Sequence, residues 1–140
     1  MKKLNVAILG AGKIGKYHVR EFYNLGANVV AILGSSEESS SINSRKLEKE
    51  FNIKLKPYYI LEELLKSEDL DAVSICTPPE MHELQTRKCL EKNLHVLCEK
   101  PFIQTDNSNY QIAEELFNLA EKKEKILTVN TQLASIVKYF

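Results

Sequence analysis

The sequence predicts an α/β fold, a single domain built on a doubly wound, mostly parallel sheet of six strands in the spatial order 3-2-1-4-5-6. Three observations carry this expectation. Short apolar runs alternate with helical stripes along the chain, which is the pattern of βαβ units. A G-x-G-x-x-G turn joins the first apolar run to the first stripe. The length of 140 residues, 44% of them apolar, is enough for one packed core of this kind without disulfide staples.

The elements follow in order. Leu4 to Leu9 is a near-continuous apolar run, as expected of a strand buried on both faces. Lys13 to Leu25 is a helix with Ile14, His18, Phe22 and Leu25 at i, i+4, i+8 and i+11 on one side, closed by Gly26. Asn28 to Leu33 is the second strand. Gly34 to Ser41 (GSSEESSS) reads as a mobile polar loop of low complexity before a helix from Asn43 to Phe51. A short strand at Lys56 to Tyr58, a helix at Leu61 to Lys66, a strand at Ala72 to Cys76 and a helix at Pro79 to Lys92 come next. His95 to Cys98 is the fifth strand. A helix from Asp106 to Lys122 carries Ala113, Leu116, Phe117 and Ala120 at i, i+3, i+4 and i+7, and Ile126 to Val129 is the sixth strand. Residues 1–131 are thus expected to form one domain. Residues 132–140 are expected to begin a linker or apolar helix toward a domain this chain does not contain, so that the chain is a truncated form.

Composition narrows the function. Nineteen Lys plus Arg balance nineteen Asp plus Glu, which leaves no basic stripe for nucleic acid or an anionic membrane surface. The longest apolar stretches, such as Val29 to Leu33, fall far short of the ~20 residues of a spanning helix. The strand after Met1-Lys2-Lys3 meets Gly10 too early for a secretory signal, and a cytoplasmic location is expected. Cys76, Cys89 and Cys98 are odd in number and lack C-x-x-C spacing, so they read as reduced intracellular thiols. No two histidines sit at metal-ligand spacing, and no metal site is expected.

Gly10-Ala11-Gly12-Lys13-Ile14-Gly15 lies between a strand and a helix, the context in which this turn binds a dinucleotide. Gly10 allows the tight turn, Gly12 lets backbone approach a pyrophosphate, and Gly15 lets the helix lie close to the strand. The acid that hydrogen-bonds an adenosine ribose 2′-hydroxyl in NAD-selective sites is missing from the end of the second strand, which reads Leu33-Gly34-Ser35-Ser36. Ser35 and Ser36 accommodate a 2′-phosphate, which favours NADP over NAD. Glu37 and Glu38 oppose extra negative charge, and the nearest cations, Arg45 and Lys46, lie a helix turn or more away. The alternative is a purely structural turn followed by a solvated loop.

A second constellation falls at the carboxyl ends of the fourth and fifth strands, the rim where open α/β sheets bind ligands. It comprises Cys76-Thr77-Pro78-Pro79-Glu80-Met81-His82 and Leu97-Cys98-Glu99-Lys100-Pro101-Phe102. Lys100 is the candidate catalytic residue, because an ammonium there polarises a substrate oxygen as negative charge develops. The alternative is an ordinary lysine paired with Glu99. His82 either faces the cofactor or packs on the helix surface. His18 is expected to be a satisfied, partly buried histidine, His95 a strand-edge residue, and Asp69 and Asp71 turn and capping residues.

GAGKIGKYH (Gly10 to His18), CTPPEMH (Cys76 to His82) and HVLCEKP (His95 to Pro101) together make the chain resemble the cofactor domain of the glucose–fructose oxidoreductase, inositol dehydrogenase and MocA family over about residues 3–135. The resemblance implies a Rossmann domain that binds NAD(P), hydride transfer to or from a sugar, polyol or related hydroxyl or carbonyl compound, and a role for Lys100 at the nicotinamide ribose and substrate. Cofactor contacts are then expected from Gly10, Gly12, Lys13, Ile14, Gly15, Ser35, Ser36, Thr77, Pro78, His82, Glu99 and Lys100. Pro79 and Glu80 stand where the family usually has an Asn, and Gln132 near where it has an Arg. The family's second domain, which shapes the substrate pocket, is not part of these 140 residues, so the chain is expected to be incomplete for catalysis by itself. The alternative function is a noncatalytic NAD(P) sensor or a subunit that needs a partner, as a homo-oligomer or with another chain.

Overall fold

In the computed structural model, residues 3–103 and 109–131 are described. The order is β1 (Asn5–Leu9), α1 (Lys13–Asn24), β2 (Asn28–Leu33), α2 (Glu37–Phe51), β3 (Lys56–Tyr58), α3 (Leu61–Ser67), β4 (Ala72–Ile75), a single 3₁₀ turn (Pro79–Met81), α4 (His82–Glu91), β5 (His95–Glu99), α5 (Asn109–Lys122) and β6 (Leu127–Asn130). The strands form one six-stranded sheet in the order β3-β2-β1-β4-β5-β6, with all pairs parallel, as the apolar runs predict.

Alternation along β1 divides the core between the two faces of the sheet. Val6 and Ile8 pack with Val19 of α1 and Leu47 of α2, whereas Ala7 and Leu9 pack with Leu64, Leu90 and Leu116 of α3, α4 and α5. An irregularity in the β1–β2 pairing sets Val6 opposite Val29 but Ala7 opposite Ala31. It passes over Val30, and this is why Val29 and Ile32, three residues apart, share a face. Leu9 pairs with Leu33 and Ile75, Ile75 with Cys98, and Cys98 with Val129. The strands therefore end at one level, and Gly10, Gly34, Cys76, Glu99 and Asn130 form a common rim.

Three expectations need correction. Of Gly34 to Ser41 only Gly34 to Ser36 is a loop: α2 begins at Glu37, and Ser36 accepts a hydrogen bond from the Ser39 N–H at 3.1 Å as its N-cap. Ser40 and Ser44 face inward because each finds a backbone partner for its hydroxyl. Buried Ser40 donates to the Ser36 carbonyl at 2.9 Å, and buried Ser44 donates to the Leu55 carbonyl at 2.5 Å. Second, the inner face of α1 is Gly15 and Val19 with half-buried Phe22, while Ile14 is 47% and Leu25 83% exposed. The helix lies so close to the sheet at Gly15 that the buried stripe rotates toward the small residue. Third, Phe117 of α5 is exposed, its ring 5.7 Å from that of Phe102, while Leu116 and Ala120 are buried. Element ends otherwise agree to within a residue, apart from the 3₁₀ turn that opens the Pro79 helix. The expected helix start at Asp106, Gln132 and the segment 132–140 lie outside the described residues. Asp71 accepts the Asn5 N–H at 2.8 Å, a strand-capping role, and His95 accepts the Ile126 N–H at 3.0 Å where β6 joins the edge. Among the described residues, no helix is long and apolar enough to cross a membrane.

Candidate dinucleotide site

The rim carries the site, and the glycine turn shows how closely its parts approach. Gly10 has φ +106°, and a Cβ there would fall 2.6 Å from the backbone carbonyl carbon and oxygen of Cys76. Its N–H donates to the Leu33 carbonyl at 2.9 Å, which ties the turn to the end of β2. A Cβ on Gly15 would stand 1.8 Å from the Gly10 carbonyl oxygen, so α1 reaches the strand only because that residue has no side chain. Gly12 differs: a Cβ there meets nothing within 4 Å. Its bareness serves no internal packing and leaves the α1 N-terminus open to a ligand.

Above the turn lies a cleft of about 1630 Å³. Its floor is Gly10 to Lys13, Leu33 to Ser35 and Cys76 to Pro78. One wall is apolar and open to solvent, made by Tyr59, Ile60, Met81 and Leu84, and the other is a face of α2 carrying Ser39, Asn43, Lys46 and Lys49. Thr77 donates its hydroxyl to Gln85 at 2.6 Å. The ammonium of Lys88 hydrogen-bonds Glu62 and holds that carboxyl below its usual range. The Cys76 thiol at the floor is pushed up to about 12, chiefly by burial, and is not a nucleophile at neutral pH.

A second pocket of about 610 Å³ opens on the other side of Cys76 and Thr77, lined by Ile14, Tyr17, His18, Pro79, Glu99, Lys100 and Asn130. At its base the Glu99 carboxylate accepts from His18 Nε2 at 2.9 Å and from the Asn130 amide, and His18 Nδ1 lies 2.7 Å from the buried Ser74 hydroxyl. Helix α1 is thereby fastened to β4, β5 and β6. Glu99 is engaged by His18 and Asn130, with its second oxygen accepting the Lys100 N–H at 3.3 Å; the lysine side chain forms no ion pair among the described residues. The alternative in which the Lys100 side chain pairs with Glu99 is thus not seen among the described residues, and the satisfied, partly buried His18 is found.

Of the sequence-predicted residues, Gly10, Gly12, Lys13, Ser35, Thr77 and Pro78 line the large cleft, and Ile14, Glu99 and Lys100 the smaller pocket. Gly15, Ser36 and His82 line neither. Gly15 is spent on helix packing and Ser36 on its N-cap. His82 is 1% exposed, with Nε2 2.8 Å from the Thr77 carbonyl and Nδ1 2.9 Å from the Pro101 carbonyl. It braces the two rim loops from below instead of facing a ligand. Among the described residues, no three of His, Cys, Asp and Glu gather as a metal site would require.

Residues 4–131 match the oxidoreductase family with an NAD-binding Rossmann fold, Gfo/Idh/MocA. The chain belongs to that family. It corresponds to the family's NAD-binding domain, and nicotinamide dinucleotide binding is the property the match carries. An inositol 2-dehydrogenase from Rhodococcus erythropolis is 31% identical over 125 residues, 85% of this chain and 34% of that protein. Among solved structures, GenD2 from gentamicin A biosynthesis in complex with NAD superposes with a TM-score of 0.76 at 21% identity, covering 92% of this chain and 34% of that one. The biliverdin reductase of Synechocystis in complex with biliverdin and NADP+ superposes with a TM-score of 0.73 at 24% identity, covering 90% and 37%. These structures share the fold, and the chain spans about a third of the length of the family members it matches.

Several residues that build the Gfo/Idh/MocA cleft here were not anticipated as its lining, Lys46 having been placed a helix turn or more away. Tyr59 and Ile60 carry a sequence signal, two large apolar residues placed outside any strand or helical stripe. Ser39, Asn43 and Lys46 form a stripe at i, i+4 and i+7 that becomes visible only once α2 is known to start at Glu37.

Proposed function

We propose that this chain is the cofactor half of an NAD(P)-dependent oxidoreductase acting on a sugar, polyol or related hydroxyl or carbonyl compound. The observation that carries the reading is Gly12: it has no packing reason to lack a side chain, yet it stands at the mouth of the cleft at the start of α1. Backbone N–H groups of Gly12 and Lys13 would receive the pyrophosphate, with the Lys13 ammonium beside them. The apolar wall of Tyr59, Ile60, Met81 and Leu84 suits an adenine ring, and the end of β2 the adenosine ribose. With no acid at that end and Ser35 in its place, the site favours NADP over NAD.

The nicotinamide, when bound, supplies the hydride chemistry. This chain's own residues bind and orient. Thr77 and Cys76 form the ridge between the cleft and the smaller pocket, which gives that pocket the right place for the reacting end. Lys100 in that pocket would hydrogen-bond a substrate oxygen and stabilise negative charge on it. The family likeness of the inositol dehydrogenase supports the substrate class.

Calorimetric titration of the chain with NADH and NADPH, beside a folded Gly12→Val variant, tests the reading. Micromolar binding that the variant loses is expected. Absence of binding to either nucleotide in a folded chain, or equal binding by the variant, would overturn it.

A further inference from the structure

We infer that Lys46, in the third turn of α2, is the residue that discriminates NADP(H) from NAD(H) by reading the 2′-phosphate; this rests on the dinucleotide reading above. The cleft's charges support it. Among the described residues lining it, Lys16 pairs with Glu50 at 2.8 Å, and Lys88 hydrogen-bonds Glu62. Lys13, Lys46 and Lys49 are left without a carboxylate partner, against the single unpaired Glu80. Lys13 sits at the glycine turn, so the excess positive charge at the other end of the cleft is on α2.

Position on the helix selects Lys46. Ser39, Asn43 and Lys46 follow one another at i, i+4 and i+7 along the cleft face, beside the buried line of Ser40, Ser44 and Leu47. The Asn43 amide donates to the Ser39 carbonyl at 2.8 Å and keeps that face in register. Seven residues of helix, about 10 Å, separate Lys46 from Ser39, and side chains lean toward the helix N-terminus, so an extended lysine covers much of that distance back toward the end of β2. Lys49 starts nearly a turn further away. Arg45 faces elsewhere: it does not line the cleft, and its Nε donates to the Ser41 carbonyl at 3.2 Å.

The groups opposed to a phosphate are absent from the same place. Glu37 and Glu38 are exposed and do not line the cleft. Ser36 is occupied by the Ser39 N–H, while the Ser35 hydroxyl has no partner among the described residues and lines the cleft at the strand end. A 2′-phosphate there meets one free hydroxyl and one uncompensated ammonium, whereas a 2′-hydroxyl gains little from either.

The test is calorimetric titration of the chain with NADPH, NADH and 2′,5′-ADP, comparing the parent with Lys46→Met, which keeps the aliphatic stem, and Lys49→Ala. The parent is expected to prefer NADPH, and Lys46→Met to lose about tenfold or more in affinity for NADPH and 2′,5′-ADP with NADH unchanged. Lys49→Ala is expected to keep the preference. A parent that binds NADH as well as NADPH, a preference that survives Lys46→Met, or one that Lys49→Ala abolishes instead would each overturn the assignment while leaving the dinucleotide reading intact. No binding of either dinucleotide by the folded parent would overturn both.

Discussion

Gly12 and Gly15 stand three residues apart in one turn and answer to different forces. At Gly15 the constraint is internal, since a methyl group would sit 1.8 Å from a backbone carbonyl oxygen, which cannot swing aside as a side-chain tip can. At Gly12 the space is open. Gly15→Ala is therefore expected to destabilise the protein by about 1–3 kcal/mol, in the range of forced backbone shifts, with Gly12→Ala within about 1 kcal/mol of the parent. Urea denaturation of the two variants decides this, and equal losses would refute the division of labour. Gly10, whose φ of +106° and 2.6 Å approach to Cys76 join both constraints, belongs with Gly15. His82 shows the limit of reading residues singly. Its place after the Thr-Pro loop suggested a ligand contact, but burial turned both ring nitrogens to backbone carbonyls.

Among the elements, α2 departs furthest from what its composition suggests. Serines favour turns because their hydroxyls compete for backbone partners, and a run of them reads as loop. Here the competition is resolved inside the helix: Ser36 caps it, Ser40 bonds the turn before, and Ser44 reaches across to Leu55. Short side chains let α2 press on Gly34, where a Cβ would come within 2.8 Å of Ser40 backbone atoms. Ser36→Ala removes the cap and is expected to cost about 1 kcal/mol, with a lower melting temperature and weaker nucleotide binding because the cleft-facing stripe starts from that turn. A variant as stable as the parent would show that the cap is dispensable. Strands were more legible than helix faces. Near-continuous apolar runs survive burial on both sides of a sheet, whereas the inner face of α1 was set by a glycine that carries no hydrophobic signal.

At the scale of the whole molecule, the sheet separates two cores and places every strand end on one rim, where the ligand-facing groups collect. The three thiols sit within this frame, and burial pushes each up to about 12 from 9.0. A thiol whose folded pKa is raised favours the native state while it stays protonated. That contribution is complete below the unfolded value near 9 and is lost as pH rises toward 12. Base is thus expected to lower the denaturation midpoint above about pH 9. At pH 8 a thiol reagent is expected to label Cys89 and Cys98 in the folded chain at least about a hundredfold more slowly than in the urea-unfolded chain, because thiolate is scarce and access closed. Labelling of Cys89 or Cys98 at the unfolded rate would contradict their burial, whereas half-buried Cys76 is slowed by its scarce thiolate alone.

The order and direction of the strands, the glycine turn and the missing acid after β2 were determined by sequence alone, because buried parallel strands and tight turns depend on local residue type and short spacing. The tertiary structure decided which side chains share a cavity. It withdrew Ser36 and His82 from the cleft, separated Lys100 from it by the Cys76–Thr77 ridge, and brought Lys46 in. Those outcomes depend on helix phase and on contacts between residues tens of positions apart, as between His18 and Glu99, and one chain's periodicity does not encode such distances.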